Sequence, residues 1–168
     1  MLETPEELFR ALVEDHGAHP RHAQALDPAD ARADGHNPMC GDRVALTLRY
    51  AEAAPTTIAD CACRTRGCAI CTASASILAG LVRGKEKAAA DALFTAFRDA
   101  CVSGEPLAET PMLDAEEREV LEALTIIHAS PLRVKCVTLP WHTLHAALTG
   151  ATEKQHDLKV GPAREASA

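Results

Sequence analysis

Four side chains able to hold a metal ion are scattered along this chain, and only folding can bring them together. Cys40 and Asp42 flank Gly41 in Asn37-Pro38-Met39-Cys40-Gly41-Asp42; Cys68 follows Gly67; Cys136 lies far downstream in Arg133-Val134-Lys135-Cys136. Three thiolates and one carboxylate would complete a four-coordinate site of the kind zinc prefers. The alternative is an ordinary small helical domain whose cysteines merely pack. Gly41 lets the backbone turn tightly between its two neighbours. Cys68, at the start of a predicted helix, faces the positive end of the helix dipole, where its thiolate is favoured. Arg133 and Lys135 beside Cys136 add positive potential to an otherwise anionic set. A carboxylate among thiolates is a harder, more easily exchanged partner for zinc than a fourth cysteine, so such a site suits chemistry better than bracing.

The rest of the chain is compatible with one domain. Its 168 residues suffice for a single core. Aromatic residues make up only 3%, so that core must be built from Leu, Ile, Val and Ala in closely packed helices. Seventeen Lys and Arg stand against 24 Asp and Glu, a formal charge of −7. That balance lacks the basic footprint phosphate backbones demand and argues against nucleic acid as a partner. No apolar run nears the roughly 20 residues that span a bilayer, and the first residues carry no secretory pattern. Seven cysteines without such a signal point to reduced thiols in the cytoplasm rather than disulfides.

Periodicity predicts a first helix over about residues 5–16, capped by Thr4 with Glu7 three residues on, and an irregular connection over 19–37. Val44, Leu46 and Leu48 alternate along a strand at 43–50, and a returning strand at 57–65 closes a hairpin. Helices follow from near Ala69 to Gly84, over 86–102, over 114–127 and over 132–148, the last kinked or divided by Pro140. The expected fold is α+β: a small antiparallel β-sheet packed with about five α-helices. Residues 1–150 form the domain, and 151–168 read as a flexible C-terminal tail.

Three motifs carry a resemblance that covers roughly residues 5–150. Asn-Pro-x-Cys-Gly-Asp at 37–42, Gly-Cys-x-Ile-x-x-Ala-Ser-Ala-Ser at 67–76 and Arg-x-Lys-Cys-x-x-Leu-x-Trp-x-x-Leu at 133–144 resemble the SufU-type, NifU/IscU-like sulfur-transfer and scaffold proteins. The first helix, with Leu8-Phe9-Arg10, Asp15-His16 and Pro20-Arg21, is similar as well. The resemblance implies zinc held by Cys40, Asp42, Cys68 and Cys136. It also implies work beside a pyridoxal-phosphate cysteine desulfurase of the SufS-like kind, with sulfur passed on to a downstream iron–sulfur scaffold. Lys135 replaces the histidine that the IscU branch has before its last cysteine, and extra sequence lies around 103–119. Both features favour the sulfur-accepting SufU branch. A scaffold binding iron or a transient [2Fe–2S] cluster is the alternative. Cys40, on a turn, is the expected persulfide acceptor; Cys68 and Cys136 are anchored at helices. Arg133 is assigned a supporting role toward the site or the incoming sulfur.

Competing patterns are present. Cys63-x4-Cys68-x2-Cys71, with Cys101 after 29 more residues, has plant-ferredoxin spacing. It falls on predicted helices and leaves Cys40, Asp42 and Cys136 unexplained. A purely structural zinc module would favour Cys and His over Cys-Gly-Asp. Cys61, Cys63, Cys71 and Cys101 read as small core residues, with a relay role open for Cys71, one turn from Cys68. His16, His19 and His22 read as solvated, Trp141 as core or partner contact, and the acidic run 114–119 as an exposed helix face.

Overall fold

The structure, a computed structural model, describes residues 4–150 and 157–160. Helix α1 (Pro5–Ala18) opens on the expected capping box, Thr4 Oγ1 accepting from the Glu7 N–H and Glu7 accepting from the Thr4 N–H. Strands β1 (Ala31–Asn37), β2 (Asp42–Tyr50) and β3 (Ile58–Arg66) form an antiparallel meander. Helices α2 (Ala69–Leu81), α3 (Lys87–Ser103), α4 (Ala115–Leu124) and α5 (Pro131–Thr149) follow, with a 3₁₀ turn at Thr125–Ala129. A short strand β4 (Asp157–Val160) pairs with β1, so the sheet runs β3-β2-β1-β4. The α+β class and the five helices agree with the expectation. Of the expected tail, 157–160 lies in the sheet, and 151–156 and 161–168 fall outside the described residues.

Strand β1 corrects the reading of 19–37 as wholly irregular. Its inward positions are Ala31, Ala33, Gly35 and Asn37, alternating with Arg32, Asp34 and His36. Small residues on the buried side give no apolar alternation to detect. What makes the segment a strand is pairing along its full length with β2, from Ala31↔Leu48 to Asn37↔Asp42. Tertiary pairing overrides weak strand propensity here. The helix expected at 114–127 likewise tightens to 3₁₀ after Leu124.

The core lies between the sheet and the helices. Leu46, Leu48 and Ile58 from the strands meet Leu78, Leu93, Phe94, Phe97, Leu139, Trp141 and Leu144, all essentially inaccessible. Helix α5 is central, packing on β1, β2, α2 and α3. It runs unbroken through Pro140, which lacks the N–H that would meet the Cys136 carbonyl. Ser74 on α2 supplies a donor one residue further on: its hydroxyl donates to the Val137 carbonyl at 2.6 Å and accepts from Trp141 Nε1 at 3.1 Å. This buried relay fixes the helix that carries Cys136. Ser74→Ala should therefore cost about 1–3 kcal/mol, since it strands a buried indole N–H; urea denaturation of the metal-free protein reads the loss. Among the described residues no helix is long and apolar enough to cross a membrane.

Candidate metal centre

The site forms where two chain reversals meet the second turn of α5. The first is the β1–β2 loop. Asn37 is buried; its side chain accepts from the Met39 N–H at 3.1 Å and its carbonyl from the Gly41 N–H at 2.8 Å. Gly41 takes φ +77°, a conformation that disfavours side chains. The loop thereby puts Cys40 at its exposed tip and Asp42, 1% exposed, at the foot of β2.

The second reversal joins β3 to α2. Gly67 adopts φ +150°, and a Cβ there would lie 2.0 Å from Asp42 Oδ1. The carboxylate therefore occupies the space a side chain would need. Asp42 Oδ1 accepts the Cys68 N–H at 2.9 Å, pinning the start of α2. Cys68 is the N-cap of that helix, and its sulfur accepts the Cys71 N–H at 3.4 Å. Cys136, 1% exposed, comes from α5.

These reversals bring the candidate ligands together. Cys40 Sγ donates to Asp42 Oδ2 at 2.9 Å and lies 3.7 Å from Cys136 Sγ. The ligand atoms of Cys40, Asp42 and Cys136 all lie within 4.8 Å of one another. Cys68 Sγ stands just outside that triplet, 3.8 Å from Asp42 Oδ2. Arg133 sits three residues before Cys136 on the exposed first turn of α5, and its side chain makes no hydrogen bond or ion pair among the described residues.

A divalent ion fits this donor set. Two sulfurs bound tetrahedrally to zinc at about 2.3 Å stand about 3.8 Å apart, and Cys40 and Cys136 are 3.7 Å apart. Asp42 is a buried carboxylate surrounded by thiols and an amide, and among the described residues no lysine or arginine pairs with it. Burial works against its charge, but hydrogen bonds from Cys40, the Cys68 N–H, Cys136 and Cys68 hold its carboxyl below the ordinary value. The thiols respond oppositely. Burial, then the neighbouring carboxylate, raises the Cys40 and Cys136 thiols. Without a cation both stay protonated at neutral pH, so metal binding must expel their protons. Zinc affinity should accordingly rise with pH by about a hundredfold or more per unit between about pH 6 and 8, from the protons displaced at Cys40 and Cys136. Competition titration with a chromophoric chelator at three pH values checks the slope.

The competing groupings do not assemble. Cys61 and Cys63 are buried on the inward face of β3, and Cys101 is buried on α3, its thiol pushed up to about 12 by that burial. Among the described residues the ferredoxin-spaced cysteines form no metal-ligating group, and neither do His16, His19 and His22. His16 Nδ1 instead meets Ser76 Oγ at 2.7 Å, and His22 meets Arg83. Trp141 is core, with its ring 4.7 Å from that of Phe97. Sequence reasoning missed Asn37 and Gly67. An Asn before Pro and a Gly before Cys were the available signals, but neither tells that Asn37 braces the loop through the Met39 and Gly41 N–H groups or that Gly67 leaves room for the Asp42 carboxylate.

Comparison with known proteins bears on the whole chain. Residues 8–106 match the family model described as the NifU-like N terminal domain. An iron–sulfur cluster assembly scaffold protein IscU from Streptococcus pyogenes serotype M1 is 35% identical over 149 residues, 89% of this chain and 87% of its own length. A zinc-dependent sulfurtransferase SufU from Bacillus subtilis is 31% identical over 137 residues, covering 82% and 86%. Among solved structures, a putative iron–sulfur cluster assembly scaffold protein for the SUF system from Fervidobacterium islandicum superposes with a TM-score of 0.70 at 25% identity, covering 82% of this chain and 94% of that one.

Proposed function

Because the chain belongs to the NifU-like N-terminal domain family of iron–sulfur cluster assembly proteins, we propose that it is a zinc-dependent sulfurtransferase. In this reading it accepts persulfide sulfur from a pyridoxal-phosphate cysteine desulfurase and passes it on to a downstream iron–sulfur scaffold. The observation that carries the reading is the asymmetry of the thiols. Cys40 alone is exposed, on a loop tip, while Asp42 and Cys136 beside it are buried and Cys68 is half-covered.

Cys40 therefore meets a donor first. Its thiolate attacks the outer sulfur of the donor persulfide; the donor's S–S bond breaks, the donor cysteine leaves as a thiolate, and the outer sulfur with its proton stays on Cys40. No net oxidation or reduction occurs. Asp42 Oδ2 accepts the Cys40 S–H before attack and holds the sulfur at the exposed edge of the buried set. Zinc held by Cys40, Asp42, Cys68 and Cys136 would supply the positive charge that keeps these thiols ionised at neutral pH. Arg133, one turn before Cys136 and open to solvent, offers a cation to the incoming sulfur anion.

The test combines metal analysis with mass spectrometry after incubation with a desulfurase and cysteine. One zinc per colourless chain, a gain of about 32 Da on the Cys40 peptide and faster desulfurase turnover support the proposal. A zinc-loaded chain that gains no mass and leaves turnover unchanged rejects it.

The scaffold reading has its own support in the IscU relatives. Against it, Lys135, exposed and cationic, stands immediately before Cys136 and adds no ligand. A brown protein with iron and sulfide, rather than zinc, would favour the scaffold.

A further inference from the structure

We propose that Cys68 and Cys71 form a dithiol–disulfide couple, in which Cys71 resolves a sulfur bound to Cys68. Cys68-Ala69-Ile70-Cys71 is a Cys-x-x-Cys motif opening a helix, an arrangement used in redox chemistry when the first thiol is reachable and the second lies behind it. Here the first cysteine is the half-covered N-cap of α2 and the second is fully buried. The Cys71 backbone N–H donates to Cys68 Sγ at 3.4 Å, which holds the first sulfur over the turn that carries Cys71, and the two thiols are close enough to interact electrostatically. Residues three apart on a helical turn hold their Cβ atoms about 5–6 Å apart, and a disulfide needs about 3.5–4.5 Å. The extended backbone of Cys68, φ −74° and ψ 161°, lies outside the helical ladder and leaves that closure to rotation at one residue. Neither cysteine is in a disulfide, and Cys68, the proposed ligand standing outside the tight Cys40–Asp42–Cys136 triplet, must leave the metal for the couple to close.

The chemistry rests on the sulfur-acceptor reading above for its cargo. Cys40 and Cys68 both abut Asp42 Oδ2, at 2.9 and 3.8 Å, so they are neighbours across one oxygen. The Cys68 thiolate first attacks the outer sulfur carried by Cys40; a new S–S bond forms at Cys68, the Cys40 S–S bond breaks, and Cys40 leaves as a thiolate. Cys71 Sγ then attacks Cys68 Sγ. The Cys68–Cys71 bond forms, the bond to the outer sulfur breaks, and that sulfur leaves as hydrosulfide with the Cys71 proton available to it. The outer sulfur is reduced to sulfide and the two cysteines are oxidised, so one turnover needs no other reagent; a second needs a dithiol reductant. A Cys68 disulfide with glutathione is resolved the same way, with glutathione thiolate as the leaving group.

The test treats the full chain and its Cys71→Ala variant with glutathione persulfide, and separately with oxidised glutathione, without reductant. In the unmodified chain, sulfide release, a loss of about 2 Da and a 68–71 cross-linked peptide are expected. The variant should keep the added sulfur, about 32 Da, and release sulfide about tenfold less or slower. Absence of the 68–71 cross-link in the unmodified chain with both reagents overturns the inference, whatever the variant does. Equal sulfide release by the variant also overturns it. A cross-link with oxidised glutathione but no sulfur gain from the persulfide by either protein upholds the couple and counts against the sulfur-acceptor reading instead.

Discussion

Cys40→Ala is expected to lose persulfide loading by about a hundredfold or more, because the substitution removes the only exposed thiol of the set. The fold should not suffer. Cys40 lies on a loop tip, and the turn is held by Asn37 and Gly41, neither of which contacts the deleted sulfur through its own hydrogen bonds. Metal-free stability should stay within about 0.5 kcal/mol, as for other surface changes. The variant also loses one ligand atom, so weaker metal binding accompanies the change. Peptide mapping separates the two effects. If sulfur appeared on Cys68 or Cys136 at full level in Cys40→Ala, the acceptor assignment would be wrong even though the protein transferred sulfur.

The second large effect is on the metal. Asp42→Asn should lower zinc affinity by about a hundredfold or more; loss of an outer hydrogen-bond partner of a ligand alone costs 10–100-fold, and here the ligand's own charge disappears. The amide keeps the shape and an oxygen for the Cys68 N–H, so the start of α2 should hold. The carboxyl is held below its ordinary value in the folded chain. Its contribution to metal-free stability is thus present above the unfolded carboxyl pKa and fades as pH falls through the lower folded one. The asparagine variant should therefore lose stability at neutral pH relative to the parent, with the gap closing in acid. Zinc retention near the parent's level in Asp42→Asn would remove the carboxylate from the ligand set.

Much of this arrangement was legible along the chain. The capping box at Thr4, the alternation of Val44, Leu46 and Leu48, and the helical spacing of Ile70, Ala73 and Ile77 are local signals. They act within a turn or a strand, where propensity and burial agree. Strand β1 was not legible because its inward residues are Ala and Gly, and pairing with β2 decides its state. The unbroken course of α5 past Pro140 was also hidden, because tertiary packing holds the helix there, including a bond from Ser74, 63 residues away in sequence, to the Val137 carbonyl.

What the chain determines by itself is the inventory: two thiols and a carboxyl on glycine-marked reversals, a third thiol on the last long helix, and a Cys-x-x-Cys pair at a helix start. Residue type and near-neighbour spacing are enough to fix that chemistry. The distances belong to the tertiary structure. A sulfur–sulfur separation of 3.7 Å across 96 positions, and a carboxylate lodged where residue 67 can have no side chain, exist only once α5 has packed on β1 and β2. Packing decides them because burial of the apolar helix faces sets where the backbones lie. The polar atoms, carried into a space with little water, must then find one another or a cation.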